Sequence, residues 1–313
     1  MEYDVSVILI NYNSSSFTIS CVESIIENTN NFVNYNIVIV DNSSVLDDFN
    51  KLNKLKDIKN VKVVRSNINL GFSCGNMYGV SFTKARYYFF LNNDCVLLND
   101  CINILFKFSE ENQNTGLCSP QLYSEENSPI SSFDHFPILT TKFLGTGILK
   151  VIKGKEYKAR KGIYNTPIKV DVVSGSQMFI RKEAFNNVGG FDPLFFLYCE
   201  EEDIALKMYN HQYDVYLVPD AKNIHLGGAS TPKSYEIRKE FYISFLYFYR
   251  KHYGFLKAGI LKLLLFLKII RKSFKNSENF KLSFFVLSGA HMKNSIRHKQ
   301  VIVEIDQQIE NIV

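Results

Sequence analysis

Three times in the first hundred residues an unbroken apolar run stops at a polar cluster. Residues 5–10 (VSVILI) run into Asn11-Tyr12-Asn13, residues 36–40 into Asp41-Asn42-Ser43-Ser44, and residues 86–91 into Asn92-Asn93-Asp94. Residues 61–64 form a further short β-branched run. Runs without polar alternation suit strands covered on both faces. Between them lie helix-compatible segments: one capped within residues 14–16 and continuing to 26, one over 46–58 and one over 71–83. Strand–helix–strand repetition requires parallel pairing through helical crossovers. The predicted fold class is therefore α/β, a mostly parallel twisted sheet flanked by helices.

A chain of 313 residues with 46% hydrophobic and 21% charged residues can bury one large core or two small ones, so a disordered chain is excluded. Residues 124–167, rich in Ser, Pro, Gly and Lys, read as long loops forming a mobile flap. Strand character returns over 170–180 and 213–218, a turn falls at Gly189-Gly190, a helix is predicted over 202–210, and a helical, basic segment runs from about 234 to about 275. No internal repeat or low-complexity tract interrupts this order. The six cysteines show no CxxC pair and sit mostly in apolar runs, as expected of reduced cysteines in a cytoplasmic protein. The N-terminus lacks the basic start of a signal peptide. The longest apolar stretch, 258–270, is interrupted by Lys262 and Lys268 and is too short and too charged to span a bilayer.

In open α/β sheets ligands bind beyond the carboxyl ends of strands, which is where the three polar clusters fall. No GxGxxG follows the first strand and no GxxxxGK[ST] occurs, which argues against a dinucleotide fold and a P-loop. The segment NLGFSCGN at 69–76 precedes a helix, where glycines allow close backbone approach and the helix start favours an anion. Glu200-Glu201-Glu202-Asp203 is the densest acidic cluster. Two readings stand: mutual repulsion that raises the proton affinity of one member or draws in a cation, or an acidic first turn that complements a helix dipole. His225, in NIHLGG, is either structural or part of a site.

Taken in order, VSVILINYN, IVIVDNSS, NLGFSCGN, FLNNDC, VSGSQMFIRKEAFNNVGGFDPLFFLYCEEEDIAL and VPDAKNIHLGGAS resemble the family 2 glycosyltransferases of GT-A fold, and among them the bacterial rhamnosyltransferase-like subgroup. The resemblance covers about residues 4–252. It implies a catalytic domain over 1–230, with a nucleotide-sugar half at 1–98 and an acceptor half at 99–230, followed by a helical C-terminal extension at 231–313. By the same resemblance Asp41 would bind the pyrimidine base, Asn11, Tyr12 and Asn13 would line its pocket with Asn42 and Ser43 beside them, and Gly71 and Asn76 would stand near ribose and diphosphate. Asn92, Asn93 and Asp94 correspond to the DXD element, which leaves Asp94 as the chief ligand of a divalent ion, Mg²⁺ or Mn²⁺, with His225 completing the metal or diphosphate site. The family's catalytic aspartate falls on Glu201, flanked by Glu200, with Asp203 bracing the site. Gly190, Phe191 and Asp192 match an acceptor-side turn.

The implied activity is inverting transfer of a sugar from a dTDP- or UDP-sugar to an acceptor hydroxyl in bacterial surface polysaccharide assembly. The alternative is a GT-A-fold binding protein that has lost turnover. No nucleic-acid partner is implied.

The chain's charge is split. Residues 233–299 carry 15 Lys and Arg against three acidic residues, a net +12, while the rest of the chain is mildly acidic. Within this basic part, FLKAGILKLLLFLKIIRK at 255–272 places Lys257, Lys262, Lys268 and Lys272 amid Leu, Ile and Phe. Such a helix suits an anionic membrane surface on the inner face of the cell membrane, where lipid-linked acceptors reside, or packing on the catalytic domain or a second subunit.

Overall fold

The computed structural model describes residues 2–139, 147, 150–152, 154, 157–227, 234–274 and 276–303. In chain order the elements are β1 (Tyr3–Asn11), α1 (Ser15–Asn28), β2 (Tyr35–Asp41), α2 (Leu46–Lys51), β3 (Val61–Arg65), α3 (Gly71–Val80), β4 (Ala85–Asn92), β5 (Cys95–Leu97), α4 (Cys101–Glu111) and β6 (Thr115–Tyr123). They continue with β7 (Phe133–Asp134), β8 (Ile168–Lys169), β9 (Val172–Val173), β10 (Gln177–Arg181), α5 (Lys182–Asn187), α6 (Glu200–Asn210), β11 (Asp214–His225), α7 (Tyr235–Ile270) and α8 (Glu278–Leu287). The main sheet has the order β3-β2-β1-β4-β10-β6-β11-β5, with β8 also paired to β11, and β7 and β9 form a separate ribbon.

Strands β3, β2, β1 and β4 are all parallel, as are β6 and β11, while β10 runs antiparallel between β4 and β6. The expected mostly parallel α/β sheet is therefore present. The chain steps outward from β1 to β2 and β3, then returns to place β4 on the other side of β1. That reversal opens a crevice at the carboxyl ends of β1 and β4. Part of the expected flap over 124–167, and Gly228 to Ser230 of the last motif, lie outside the described residues.

Alternation along β1 divides the core. Val5, Val7 and Leu9 pack with Cys21, Val22 and Ile25 of α1 and with Ile102 and Leu105 of α4. On the other face Ile8 meets Tyr88, Phe90, Met178 and Ile180, covered by Phe185, Phe191 and Ile204. Burying each large apolar side chain contributes about 1.5–3 kcal/mol, so both faces resist a shift of register.

The division expected at 230/231 falls among residues outside those described. The helix beyond it shares a core with the segment before α6: Ile243, Phe245, Leu246, Phe248 and Tyr249 pack on Phe195 and Cys199. Helix α7 breaks at Gly254, whose φ of 80° and ψ of 171° are not helical. Its second arm buries Ala258, Leu261 and Ile269 against Leu282 and Val286 of α8. The apolar 258–270 stretch is thus one-sidedly packed. Among the described residues no helix is long and apolar enough to cross a membrane.

Phe248 lies fully buried in the shared core. Phe248→Ala should lower stability by about 3–5 kcal/mol, read as a reduced urea midpoint. A loss below about 1 kcal/mol would show that the first arm of α7 is peripheral.

Candidate active site

A cleft of about 240 Å³ opens where the parallel strands end. Tyr12, Asn42, Gly71, Asn76, Asn92 and Asn93, all expected on the donor side, line it. Asn42 holds the loop before α3: its Nδ2 donates to the Gly71 carbonyl at 2.9 Å and its Oδ1 accepts the Leu70 amide at 3.1 Å. Gly71 adopts φ +71°, and a Cβ there would stand 2.3 Å from the Phe196 carbonyl oxygen. That same carbonyl accepts the Phe72 amide at 2.7 Å. Only glycine permits this approach.

Asn11, Asn13, Asp41 and Ser43 are not in the lining. Asn11 and Asp41 are buried behind it, whereas Asn13 is exposed and Ser43 half-buried. Asn11 Nδ2 lies 2.9–3.0 Å from Asp41, Ser44 and Asp48 oxygens. Asp41 is buried; burial pushes its carboxyl up, opposed by bonds from Ser44 and Asn11 and by the nearby Arg65 charge. Arg65 stacks on the Phe49 ring and donates to the Ser44 carbonyl at 2.6 Å. Asn93 Nδ2 donates to Thr18 Oγ1, which in turn donates to Asn11 Oδ1, both at 2.8 Å. The first and third polar clusters are thus tied through α1.

Asp94 follows this turn. Its side chain is buried, and neither carboxylate oxygen has a hydrogen-bond partner. His225 Nε2, also unpartnered, lies 3.4 Å from Asp94 Oδ1. The antiparallel pairing of β11 with β5 sets His225 opposite Cys95. One ligand atom from each of Asp94, Cys95 and His225 falls within 4.8 Å of the others. A buried carboxylate without donors is costly, and a divalent cation between these atoms would satisfy it. The residues therefore fit a metal. Cys95 was expected only as a small core residue. Burial pushes its thiol well up, which leaves Asp94 and His225 as the stronger ligands.

The acidic cluster opens α6, preceded by two residues in left-handed conformation, Tyr198 (φ 76°) and Cys199 (φ 69°). Such backbone is strained for non-glycine residues and gathers at functional sites. The four carboxylates separate by environment. Glu200 is buried, with one oxygen unpartnered, and burial together with Glu202 and Glu240 pushes its carboxyl up to about 8. Glu201 is pushed up to about 7, by burial first and then by Glu200. Its carboxylate lies over Gly175, where a Cβ would be 3.0 Å from the carboxyl carbon. Gly175 adjoins Ser176, whose carbonyl accepts the Asn92 amide at 2.8 Å. Glu201 thus sits across one glycine from the segment that ends in Asp94.

Asp203 behaves oppositely. Burial pushes its carboxyl up, but His252, Lys207 and Lys251 outweigh this and hold it below the usual range. His252 Nε2 lies 2.7 Å and Lys251 Nζ 2.6 Å from Oδ1. Lys251 also donates to Asp192 at 2.6 Å, which accepts Tyr247 Oη at 2.9 Å. Gly190 offers its carbonyl to Lys207 at 2.6 Å, and Phe191 is core, its ring 4.8 Å from Phe90. Lys251 and His252 come from α7, far downstream, and no motif marks them. Both acid-cluster expectations are met: the cluster is the first turn of a helix, and two of its members have raised proton affinity.

The profile of the family described as Glycosyl transferase family 2 matches residues 6–189. Among curated proteins, Rhamnosyltransferase WbbL of Escherichia coli (strain K12) is 29% identical over 166 residues, 50% of this chain and 60% of that one. dTDP-rhamnosyl transferase RfbF of Shigella flexneri is 23% identical over 236 residues, 74% of this chain and 72% of that one. A low-salt glycan biosynthesis hexosyltransferase, Agl10 of Haloferax volcanii, is 26% identical over 208 residues, 65% of this chain and 61% of that one. The chain thus spans about 60% of the length of the first of these relatives. A crystal structure of GalNAc-T7 with UDP, GalNAc and Mn²⁺ superposes with a TM-score of 0.57 at 18% identity, covering 79% of this chain and 50% of that one, a likeness of fold alone.

The raised proton affinity of Glu200 sets a sign. Folded protein keeps a proton that the unfolded chain releases above about 4.5, so stability should fall as pH rises from about 5 to about 8. Glu200→Gln should flatten that decline in thermal melts across the interval. An unchanged slope would assign the pH dependence to other groups.

Proposed function

The chain belongs to glycosyl transferase family 2, and on that premise we propose that it moves one sugar, with inversion, from a nucleoside diphosphate sugar to an acceptor hydroxyl in surface polysaccharide assembly. One observation carries the reading: the buried, unpartnered Asp94 carboxylate beside His225 lies across Gly175 from the high-affinity proton acceptor Glu201. In this reading Asp94 and His225 supply the cation site and Glu201 the base. The names of the relatives support a deoxysugar donor carried on dTDP, with UDP as the other pyrimidine carrier.

In this mechanism residues 1–98 bind the donor and residues 99–230 present the acceptor. Tyr12, 42% exposed at the cleft, offers a ring face to the base. Asp41, held by Asn11 and backed by Arg65, shapes that pocket from behind, with Asn42 in its lining and Asn13 and Ser43 beside it. Gly71, Asn76, Asn92 and Asn93 face ribose and diphosphate. Asp94 and His225 would hold a divalent ion, Mg²⁺ or Mn²⁺, whose charge would neutralise the leaving diphosphate. Glu201 takes the acceptor proton as the hydroxyl attacks, an effect worth about 10²–10⁴-fold. Its affinity near neutrality suits a base that must be empty before the reaction and filled during it. Burial first, and then the neighbouring Glu200, raise that affinity. Asp203, locked by Lys251 and His252, positions the first turn of α6. Gly190 and Asp192 frame the acceptor side, supported by Phe191.

The acceptor in this reading is a glycan or lipid-linked glycan at an anionic membrane surface, reached from the cytoplasmic face. The second arm of α7 and α8 support it: Phe255 is 84% and Phe274 98% exposed, and Leu263, Leu267, Phe280 and Phe284 are also exposed. Lys257, Lys262, Lys268 and Lys272 accompany them. Apolar side chains entering the head-group layer with lysines at anionic lipids make a peripheral anchor.

Glu201→Gln should cut kcat by roughly 10²–10⁴-fold with donor affinity nearly unchanged, and Glu201→Asp should retain substantial turnover. Normal turnover of Glu201→Gln would reassign the base. Asp94→Ala should abolish Mn²⁺-dependent nucleotide binding in calorimetry. Equal activity with and without EDTA would overturn the ion's role. Phe255→Ser with Leu256→Ser should weaken co-sedimentation with phosphatidylglycerol vesicles, and high salt should weaken it further. Sedimentation equal to that of the unaltered protein would place the anchor elsewhere.

A further inference from the structure

The sheet and its loops leave one side of the donor cleft open, and that side is closed by residues far outside the family match, which ends at 189. Ile237 of α7 and Ile296 and Gln300 of the C-terminal tail line the cleft together with Leu197. We propose that residues 295–300 of the tail are a wall of the donor site, with Ile296 and Gln300 as donor-positioning residues. The inference rests on the glycosyl-transfer reading and deepens it.

Separate anchors hold the tail along its length, an ion pair of Lys299 with Glu236 of α7 among them. Buried Glu240 of α7 accepts the Ser295 hydroxyl and the Ile296 amide, each at 2.8 Å. The Arg297 guanidinium donates to the Pro193 carbonyl, beside Asp192. The Val303 amide donates to the Asn67 carbonyl at 2.7 Å, in the loop that leads to Gly71. The tail therefore spans from the acceptor-side turn to the donor loop, across the ends of the strands.

Its geometry is that of a wall and not of a plug. The cleft keeps about 240 Å³ with the tail in place, and Glu240, Pro193 and Asn67 stand outside its lining. Expelling the tail would strip a buried carboxylate of two donors, an arrangement unsuited to a segment that must leave each time substrate binds. Gln300 Nε2 donates to the Ile296 carbonyl at 2.9 Å. A carboxamide retains a second N–H and an acceptor oxygen, a pair able to bond a sugar hydroxyl or a base edge. Ile296 and Ile237 supply the apolar surface against which a ring can pack.

The test is calorimetric titration of the full chain with UDP and dTDP in Mn²⁺, on unaltered protein, Ile296→Ala, Gln300→Ala and Val301→Ala. Val301 is 75% exposed and serves as the control. The unaltered protein and Val301→Ala should bind alike, and the other two should bind roughly tenfold more weakly, equivalent to about 1.4 kcal/mol. On the unaltered protein, bound nucleotide should slow hydrogen exchange of tail amides, a readout independent of how the variants fold. Equal or tighter binding by the variants, or exchange that stays constant or quickens, would overturn the wall. Binding of neither nucleotide by the unaltered protein would sink the donor reading itself, and the wall with it.

Discussion

The chemistry of this chain depends on the seating of β1 between two parallel neighbours. Its register sets Asn11 opposite Asp41 on one side and Ile10 opposite Asn92 on the other. Three polar clusters spaced widely in sequence thereby stop at one edge. A slip of one residue would turn Val5, Val7 and Leu9 away from α1 and scatter the clusters. Core packing on both faces of β1 and the site at its end are thus one constraint, because the residues that fix the register also fix where the polar ends stand.

Given that edge, the carboxylates are sorted by what surrounds them. Asp203 is buried, but a hydrogen bond from His252 and the charges of Lys207 and Lys251 outweigh that burial and hold its carboxyl below the usual range. Asp94 is buried and unanswered, which makes it receptive to a cation. Glu200 is buried and Glu201 partly so, and loss of solvent raises the proton affinity of both. Carboxylates within one short helix turn and one strand end thus acquire opposite proton affinities through desolvation and pairing.

The strands and their polar ends were legible because buried parallel strands leave unbroken β-branched runs, and because turn chemistry marks where they stop. The motif order carried the candidate residues, and six of those expected at the donor site do line the cleft. Other features carry no local signature. Asn11 and Asp41 face into the wall, since a polar residue at a strand end reads the same whether it points to ligand or to Arg65. Cys95 reads as core, and only its pairing opposite His225 brings it to Asp94. Lys251, His252, Ile296 and Gln300 lie on a helix and a tail whose sequence shows basic charge and apolar spacing but not what they fold back upon. Contacts across about 50 or 200 residues are set by tertiary packing, which periodicity does not encode.

The brace of Asp203 has a consequence for synthesis. Its partner Lys251 lies 48 residues further along the chain. At roughly 5–20 residues per second, several seconds pass on the ribosome between the two, and longer before α7 clears the exit tunnel. During that interval α6 carries its acidic turn with Lys207 but without Lys251 and His252, and the strained Tyr198–Cys199 backbone lacks the aromatic packing of α7. A nascent chain released early would keep every family motif yet lack the groups that hold its acidic turn. The order of translation thus makes α7 a checkpoint on whether the segment before it settles.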